Sequence, residues 1–335
     1  MIGFFDPKSG RGGGQVVLER LLELSLENST TALVMPQPGQ DSIAIPSGVQ
    51  TYTVAGHLLR SVVPGEKVVL VSNATPCLPA VIRTGAALRR QGVSATTVAI
   101  LHNYPVGLPK LVATRQLLRQ VDFTIAVEPG LQTLRPDTVI PTWLSVPHSR
   151  RFAARAPEPI TATGVVKSYA RPDATKGMHL LPAIYRALSS LGYTCEVALG
   201  QPLDGQERYQ AKLERALAPW LVDGRRNADW VDPGDVFVIP SVAGEAACLT
   251  AQEALSNGAF VVASRIGLMS YLSPTNQGIR TFAVGDTRGA VDAIVDAMAL
   301  SPAEFDEECR AGAAGVSARE SRWYDEVVAS LVARL

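Results

Sequence analysis

Short apolar runs alternate along this chain with stretches whose leucines, valines and alanines recur at helical spacing. IGFFD (2–6), TALVMP (31–36), EKVVLVSN (66–73), ATTVAILHN (95–103), FTIAVE (123–128) and TVIPTW (138–143) have the length and bulk of buried strands. Between them QVVLERLLELSL (15–26), the segment 79–91 and KLVATRQLLRQV (110–121) have the spacing of helices, and Gly92 stands where a helix C-cap belongs. Strand–helix–strand order with short connections predicts a parallel, doubly wound sheet. The pattern breaks over 144–160, where prolines and arginines follow one another without periodicity, as in an interdomain linker. It then restarts. Strands are expected at 160–170, 193–200, 235–241 and 259–264, helices at 178–191, 206–219, 249–257 and 287–300, and a last amphipathic helix at about 318–334.

Composition agrees with two α/β domains. The chain has 335 residues, 47% hydrophobic and 19% charged, which excludes a disordered polymer. Net charge is zero, so no general attraction to nucleic acid is expected, although residues 1–150 carry 13 basic and 9 acidic side chains and the remainder 18 and 22. That mild positive bias in the first half suits an anionic acceptor or peripheral contact with a membrane surface. The four cysteines (Cys77, Cys195, Cys248, Cys309) are scattered without metal-ligand spacing and are expected to be reduced, small apolar residues. The N-terminus does not have the pattern of a signal peptide and no run has the length of a membrane span; a cytoplasmic protein is expected.

Ligands of parallel sheets bind beyond the C-terminal ends of the strands, so the chemistry is sought there. The first strand is followed by Gly10-Arg11-Gly12-Gly13-Gly14 and then a helix. Such a turn lets backbone N–H groups approach an anion, or is simply a flexible turn. It lacks the Lys-Ser/Thr of a P-loop, and no acidic residue ends the second strand to hold a dinucleotide ribose, which disfavours a nicotinamide oxidoreductase. The strand that opens the second half is followed by Arg171, Lys176 and Gly177. Two cations there suit a diphosphate leaving group, or form a solvated basic loop; Lys167 is a substitute cation should Arg171 be misaligned. Finally, Pro240-Ser241 leads to Glu245, and Glu253 follows after seven intervening residues, the two straddling a strand-to-helix connection. Glu245 is expected in the loop and Glu253 in the helix's first turns, with the N–H groups of Cys248, Leu249 and Thr250 placed to receive phosphate oxygens.

This ordered set resembles the family 4 glycosyltransferases, in which a Gly-rich N-terminal loop, a first-domain His, an Arg/Lys-Gly pair and a Glu-x7-Glu motif after Pro-Ser follow one another as Gly12–Gly14, His102, Arg171/Lys176-Gly177 and Glu245/Glu253 do here. The likeness spans nearly the whole chain. It implies a GT-B fold: two doubly wound Rossmann-like domains facing across a cleft, an acceptor-side domain at 1–150, a nucleotide-sugar domain at 151–315, and a helix at 316–335 crossing back to the first. It implies a retaining, metal-independent transferase without a resident cofactor, using a nucleotide-diphosphate sugar such as a UDP- or GDP-sugar. Glu253 would bind the ribose, Glu245 the sugar hydroxyls, Arg171 and Lys176 the diphosphate with the Gly13–Gly14 backbone, and His102 the sugar near the reacting carbon. The acceptor ranks as small molecule or glycan first, membrane lipid second, nucleic acid (a modified DNA base) third. A GT-B relative that binds a nucleotide sugar without transfer is the alternative, because Ala246-Ala247-Cys248 depart from the family's usual pocket residues.

Overall fold

The structure, a computed structural model, describes residues 1–7, 13–35, 44–102, 105, 107–127, 129–135, 158–202, 205–222, 230–243, 245–272 and 278–335. The expected strand at 138–143, nearly all of the expected linker and Gly10–Gly12 lie outside these residues. The chain divides into two compact units, Met1–Leu144 with Ser321–Leu335, and Ser145–Glu320.

The first unit runs β1 (Ile2–Phe5), α1 (Gly13–Leu26), β2 (Thr31–Val34), β3 (Gln50–Tyr52), α2 (Ala55–Ser61), β4 (Lys67–Ser72), α3 (Leu78–Arg90), β5 (Ser94–Leu101), α4 (Leu108–Leu118) and β6 (Phe123–Ala126). Its six strands are parallel in the order β3-β2-β1-β4-β5-β6. Parallel neighbours need crossover connections, and helices supply them from β1 to β2, β4 to β5 and β5 to β6, burying apolar stripes on the sheet; between β2 and β3 the described residues contain no helix. One face packs Phe5, Val68 and Leu70 against Leu58, Val81 and Leu88. Strands β2, β4, β5 and β6 fall where the apolar runs predict them, whereas β3 and α2 were not expected.

The second unit has β7 (Val165–Ala170), α5 (Leu181–Ser190), β8 (Thr194–Leu199), α6 (Glu207–Leu217), β9 (Val236–Ile239), α7 (Leu249–Ser256), β10 (Phe260–Ser264), α8 (Met269–Leu272), β11 (Ile279–Phe282), α9 (Thr287–Met298) and α10 (Pro302–Val332). The sheet is again parallel, ordered β11-β10-β9-β7-β8. Tyr185, Val236, Phe260, Ile294 and Phe305 share its core, with the Phe260 and Phe305 rings stacked 5.6 Å apart. The last helix corrects the sequence reading: it begins at Pro302, well before 318, and has 31 residues. Its final turns group with the first unit, where Val327 and Leu331 are buried and the Arg334 guanidinium lies 3.5 Å from the Phe123 ring centroid. Among the described residues no helix is long and apolar enough to cross a membrane.

Candidate functional site

In a doubly wound sheet the crevice opens where the strand order reverses. In the second unit that point lies between β7, which continues to β8 on one side, and β9 on the other. The loops leaving β7 and β9 therefore meet there. After β7, the Asp173 carboxylate accepts hydrogen bonds from the Thr175 N–H and hydroxyl, both at 2.8 Å, and so pins a single 3-10 turn, Ala174–Lys176. Burial works against the charge of Asp173, but these bonds, helped by Lys176 and Arg171, hold its carboxyl below the ordinary range. The turn ends at Gly177 in the left-handed region, φ 66°, and the Thr175 carbonyl accepts from the N–H groups of Val242 (2.8 Å) and Ala243 (3.2 Å) in the loop after β9.

That junction carries an ion pair. Lys176 Nζ lies 2.5 Å from Glu245 Oε1, and the Ser241 hydroxyl donates to the same oxygen at 2.9 Å. Both side chains are largely covered, Lys176 at 24% exposure and Glu245 at 10%. Burial opposes the ammonium charge, but the Glu245 charge and hydrogen bond outweigh it and hold Lys176 above the ordinary lysine range. Arg171, half-buried at the end of β7, pushes the other way, so its charge is felt at the same place. The Glu245 segment is backed by the turn after β10: the Leu268 N–H donates to the Ala246 carbonyl at 2.8 Å, and a Cβ on Gly267 would come within 2.5 Å of the Glu245 carbonyl oxygen.

Helix α7 starts four residues after Glu245, and its N-cap Cys248 lies close enough to feel the charges of both Glu245 and Lys176. Its first N–H groups have no carbonyl within their own helix to bond, and the helix dipole favours an anion in front of them. Leu249 and Thr250 occupy the first turn, and Glu253 lies half-buried in the second. The N-cap is Cys248 at φ 46°, ψ 63°, among the described residues the one non-glycine with positive φ. A Cβ there strains the backbone by about 1–2 kcal/mol, and glycine would remove it. Cys248→Gly is therefore expected to change stability by less than about 1 kcal/mol, relief of strain offsetting the lost thiol, whereas Cys309→Gly, which puts a glycine and a void into the buried face of α10, should cost about 2–3 kcal/mol. Urea unfolding of the two variants side by side checks this; an equal loss in both would mean that the Cys248 backbone is unstrained. Burial, then the nearby Glu245, pushes the Cys248 thiol up to about 12, so it is not a nucleophile.

The first unit has its own cluster at its reversal point, between β1 and β4. Asp6 follows β1, Asn73 follows β4 and His102 follows β5. The buried Asp6 carboxylate accepts from Asn73 Nδ2 at 2.6 Å and from Gln15 Nε2 of α1 at 3.0 and 3.2 Å, and His102 Nε2 lies 3.0 Å from Asn73 Oδ1. Gly13 and Gly14 open α1, so their N–H groups belong to its first turn. Loss of solvent pushes the His102 imidazole down to about 4, against a smaller opposing pull from Asp6. Protonation then costs more in the folded chain than in the unfolded one. This contribution to stability is complete above the ordinary histidine value of 6.5 and is lost as pH falls through the window down to about 4. Over that window His102→Gln is expected to lose about 2–3 kcal/mol less than the parent chain. Urea midpoints at a series of pH values measure it, and parallel acid limbs would contradict the low value.

Of the residues singled out from sequence, Arg171, Lys176, Glu245 and the start of α7 thus gather at one strand-end junction, and His102 joins the other unit's cluster. Lys167 is not part of the site. It is buried in β7, donating to the Trp230 carbonyl at 2.9 Å and paired with Asp235 at 2.6 Å and Asp232 at 3.3 Å, beside the N-terminal end of β9. Asp6, Asn73 and Ser241 were missed as site residues. A polar residue ending an apolar run, as in IGFFD and VVLVSN, was the available signal. Among the described residues there is no group of three or more His, Cys, Asp or Glu that could hold a metal ion.

No family model and no curated protein is matched by the sequence. Solved structures are matched. Anabaena HepE in complex with UDP and glucose aligns with TM-score 0.75 and 16% identity over 100% of this chain and 99% of that one. A glycosyltransferase from Rickettsia africae aligns with TM-score 0.72 and 12% identity over 99% and 98%. A UDP-forming α,α-trehalose-phosphate synthase from Burkholderia xenovorans, in complex with glucose-6-phosphate, gives TM-score 0.72 and 12% identity over 99% and 100%. At such identities the likeness establishes the fold, which is GT-B, as the ordered motifs implied.

Proposed function

We propose that this chain is a retaining glycosyltransferase of the family 4 kind, moving a sugar from a nucleoside diphosphate to an acceptor hydroxyl. The observation that carries the reading is the Lys176–Glu245 pair, set at the reversal point of the second sheet close to Cys248, the N-cap of α7. A cation beside helix N–H groups suits a diphosphate, and a carboxylate one hydrogen bond away suits sugar hydroxyls. On this reading Arg171 and Lys176 neutralise the departing diphosphate, the first N–H groups of α7 take phosphate oxygens, Glu253 holds the ribose and Glu245 the sugar. The Gly13–Gly14 N–H groups and His102 of the first unit serve the phosphate and the sugar. The sugar C1–oxygen bond to the diphosphate breaks, a C1–oxygen bond to the acceptor forms on the same face, and the acceptor proton passes to the departing phosphate. Positioning and electrostatic stabilisation do the work, with no resident cofactor or metal.

The UDP, UDP–glucose and UDP-forming descriptions of the structural relatives make UDP-sugars the first donors to try. Small-molecule or glycan hydroxyls are the first acceptors. Basic side chains of α3 and α4, of the kind a lipid acceptor would want, partly serve the fold: Arg89 donates to the Ala95 carbonyl and pairs with Asp122, and Arg115 donates to the Thr133 carbonyl. The test is a thermal-shift screen of nucleoside diphosphates and their sugars. A ligand at 100 times its Kd should add about 2.7 kcal/mol to stability. No shift with any of them at millimolar concentration would sink the proposal.

A further inference from the structure

The cluster at the first sheet's reversal point has a directionality that the residue types alone do not reveal. Asp6 carries an acceptor-only carboxylate, and it is reached by two amides, Gln15 and Asn73. The Asn73 amide must therefore turn its nitrogen toward Asp6, since its oxygen at 2.6 Å from a carboxylate oxygen would be repelled. That leaves the Asn73 oxygen facing His102 at 3.0 Å. An amide oxygen only accepts, so the ring nitrogen against it must donate. We propose that Asp6 and Asn73 are positioning residues that fix His102 as its Nε2–H tautomer, leaving Nδ1 as the hydrogen-bond acceptor for a hydroxyl of the bound sugar.

The second half of this statement rests on the function proposed above; the first half does not. A lone pair at Nδ1 attracts O–H donors and repels phosphate oxygens, so it assigns His102 to the sugar and away from the diphosphate. The neutral ring, with its value pushed down to about 4 by loss of solvent, is also a poor general base, so its part is to orient a hydroxyl. Among the described residues the ring has no hydrogen-bond partner other than Asn73.

The deciding measurement is long-range proton–nitrogen NMR on the full chain labelled at histidine nitrogens, with the His102 signals assigned by their loss in His102→Gln. The parent chain at neutral pH should show Nε2 protonated and Nδ1 bare. Asn73→Leu, and separately the isosteric Asp6→Asn, should give a mixture of tautomers, the second because an amide at position 6 lets Asn73 turn over. UDP-glucose should move the Nδ1 resonance toward the hydrogen-bonded range, and UDP should not. Asn73→Leu should lose about tenfold in affinity for UDP-glucose while keeping its UDP affinity within about twofold. A proton on Nδ1 in the free parent chain, or an unmoved Nδ1 on saturation with UDP-glucose, overturns the inference. Failure of both ligands to bind counts against a UDP-sugar donor and leaves the functional reading to the wider screen of nucleoside diphosphates, and the proton position in the free chain then decides the Asp6–Asn73–His102 chain by itself.

Discussion

Lys176→Ala is expected to lower the rate of sugar transfer at saturating donor by about 10²–10³-fold, because the diphosphate would depart without the cation placed against it. The same substitution should also destabilise the second unit. Glu245 would keep its Ser241 hydrogen bond but lose the ammonium 2.5 Å away, in a place where its side chain is 10% exposed. Breaking a fully buried pair from one side costs about 3–5 kcal/mol; with Lys176 at 24% exposure water reaches part of this one, and about 2–3 kcal/mol is expected. The two effects separate in the double variant Lys176→Met/Glu245→Gln. Removing both charges should restore most of the stability and none of the rate. Urea unfolding and donor turnover to free nucleotide are the two readouts. The pH dependence has a definite sign. The Lys176 value is raised in the folded chain, so its contribution is complete below the ordinary lysine value of 10.5 and is lost as pH rises through the higher folded value. Across neutral pH the pair should therefore be insensitive to titration of the lysine. A Lys176→Ala chain that turns over donor at the parental rate would remove the leaving-group role.

The elements that sequence alone made visible are those whose signal is local. The strands VVLV and FVVAS are continuous apolar runs because both faces of the sheet are covered, and α3 announces its end with Gly92. Strand β3 gave no such signal: it is three residues long, at the sheet edge, with Gln50 and Thr51 exposed. Strand β11 contains Arg280 and Thr281, and its edge position tolerates them. The early start of α10 was hidden by Gly312 and Gly315, each of which costs an isolated helix about 1 kcal/mol. Packing overrides that, since Phe305, Cys309, Ala313 and Val316, spaced at helical intervals, are all buried. The site divides in the same way. Arg171, Lys176 and Glu245 were legible because each lies in a loop that leaves a strand run, where a parallel sheet binds its ligand, and Glu253 because it follows Glu245 at a fixed spacing into the next helix. Asp6 and Asn73 are 67 positions apart and meet only because β1 and β4 are neighbours in the sheet. Strand order is a long-range property, and no local pattern encodes it. Lys167 misled for the complementary reason: one strand carries a residue for each of its ends, and spacing does not tell which end a lysine serves.

Gly177→Ala should be the most damaging glycine-to-alanine change among the described glycines of the second unit. At φ 66° an alanine already costs about 1–2 kcal/mol in backbone strain. Its Cβ would also fall 1.8 Å from the Pro240 carbonyl oxygen and 2.7 Å from the carbonyl carbon, and neither atom is the end of a side chain that can swing away. Relief requires the loop after β9 to move as a whole, and that loop is tied to the turn after β7 through the Thr175 carbonyl and the Lys176–Glu245 pair. The expected loss is about 4 kcal/mol or more, at the top of the range for point substitutions, with the donor-binding response lost along with the junction. A useful contrast is Gly205→Ala. It too has positive φ, 83°, but a Cβ there meets nothing within 4 Å, so it isolates the backbone strain at about 1–2 kcal/mol. The difference between the two variants in urea unfolding measures the steric part of the Gly177 contact. Equal losses would mean that the β7 and β9 loops separate without cost, and a junction that loose could not hold a cation and a carboxylate in register on a diphosphate sugar.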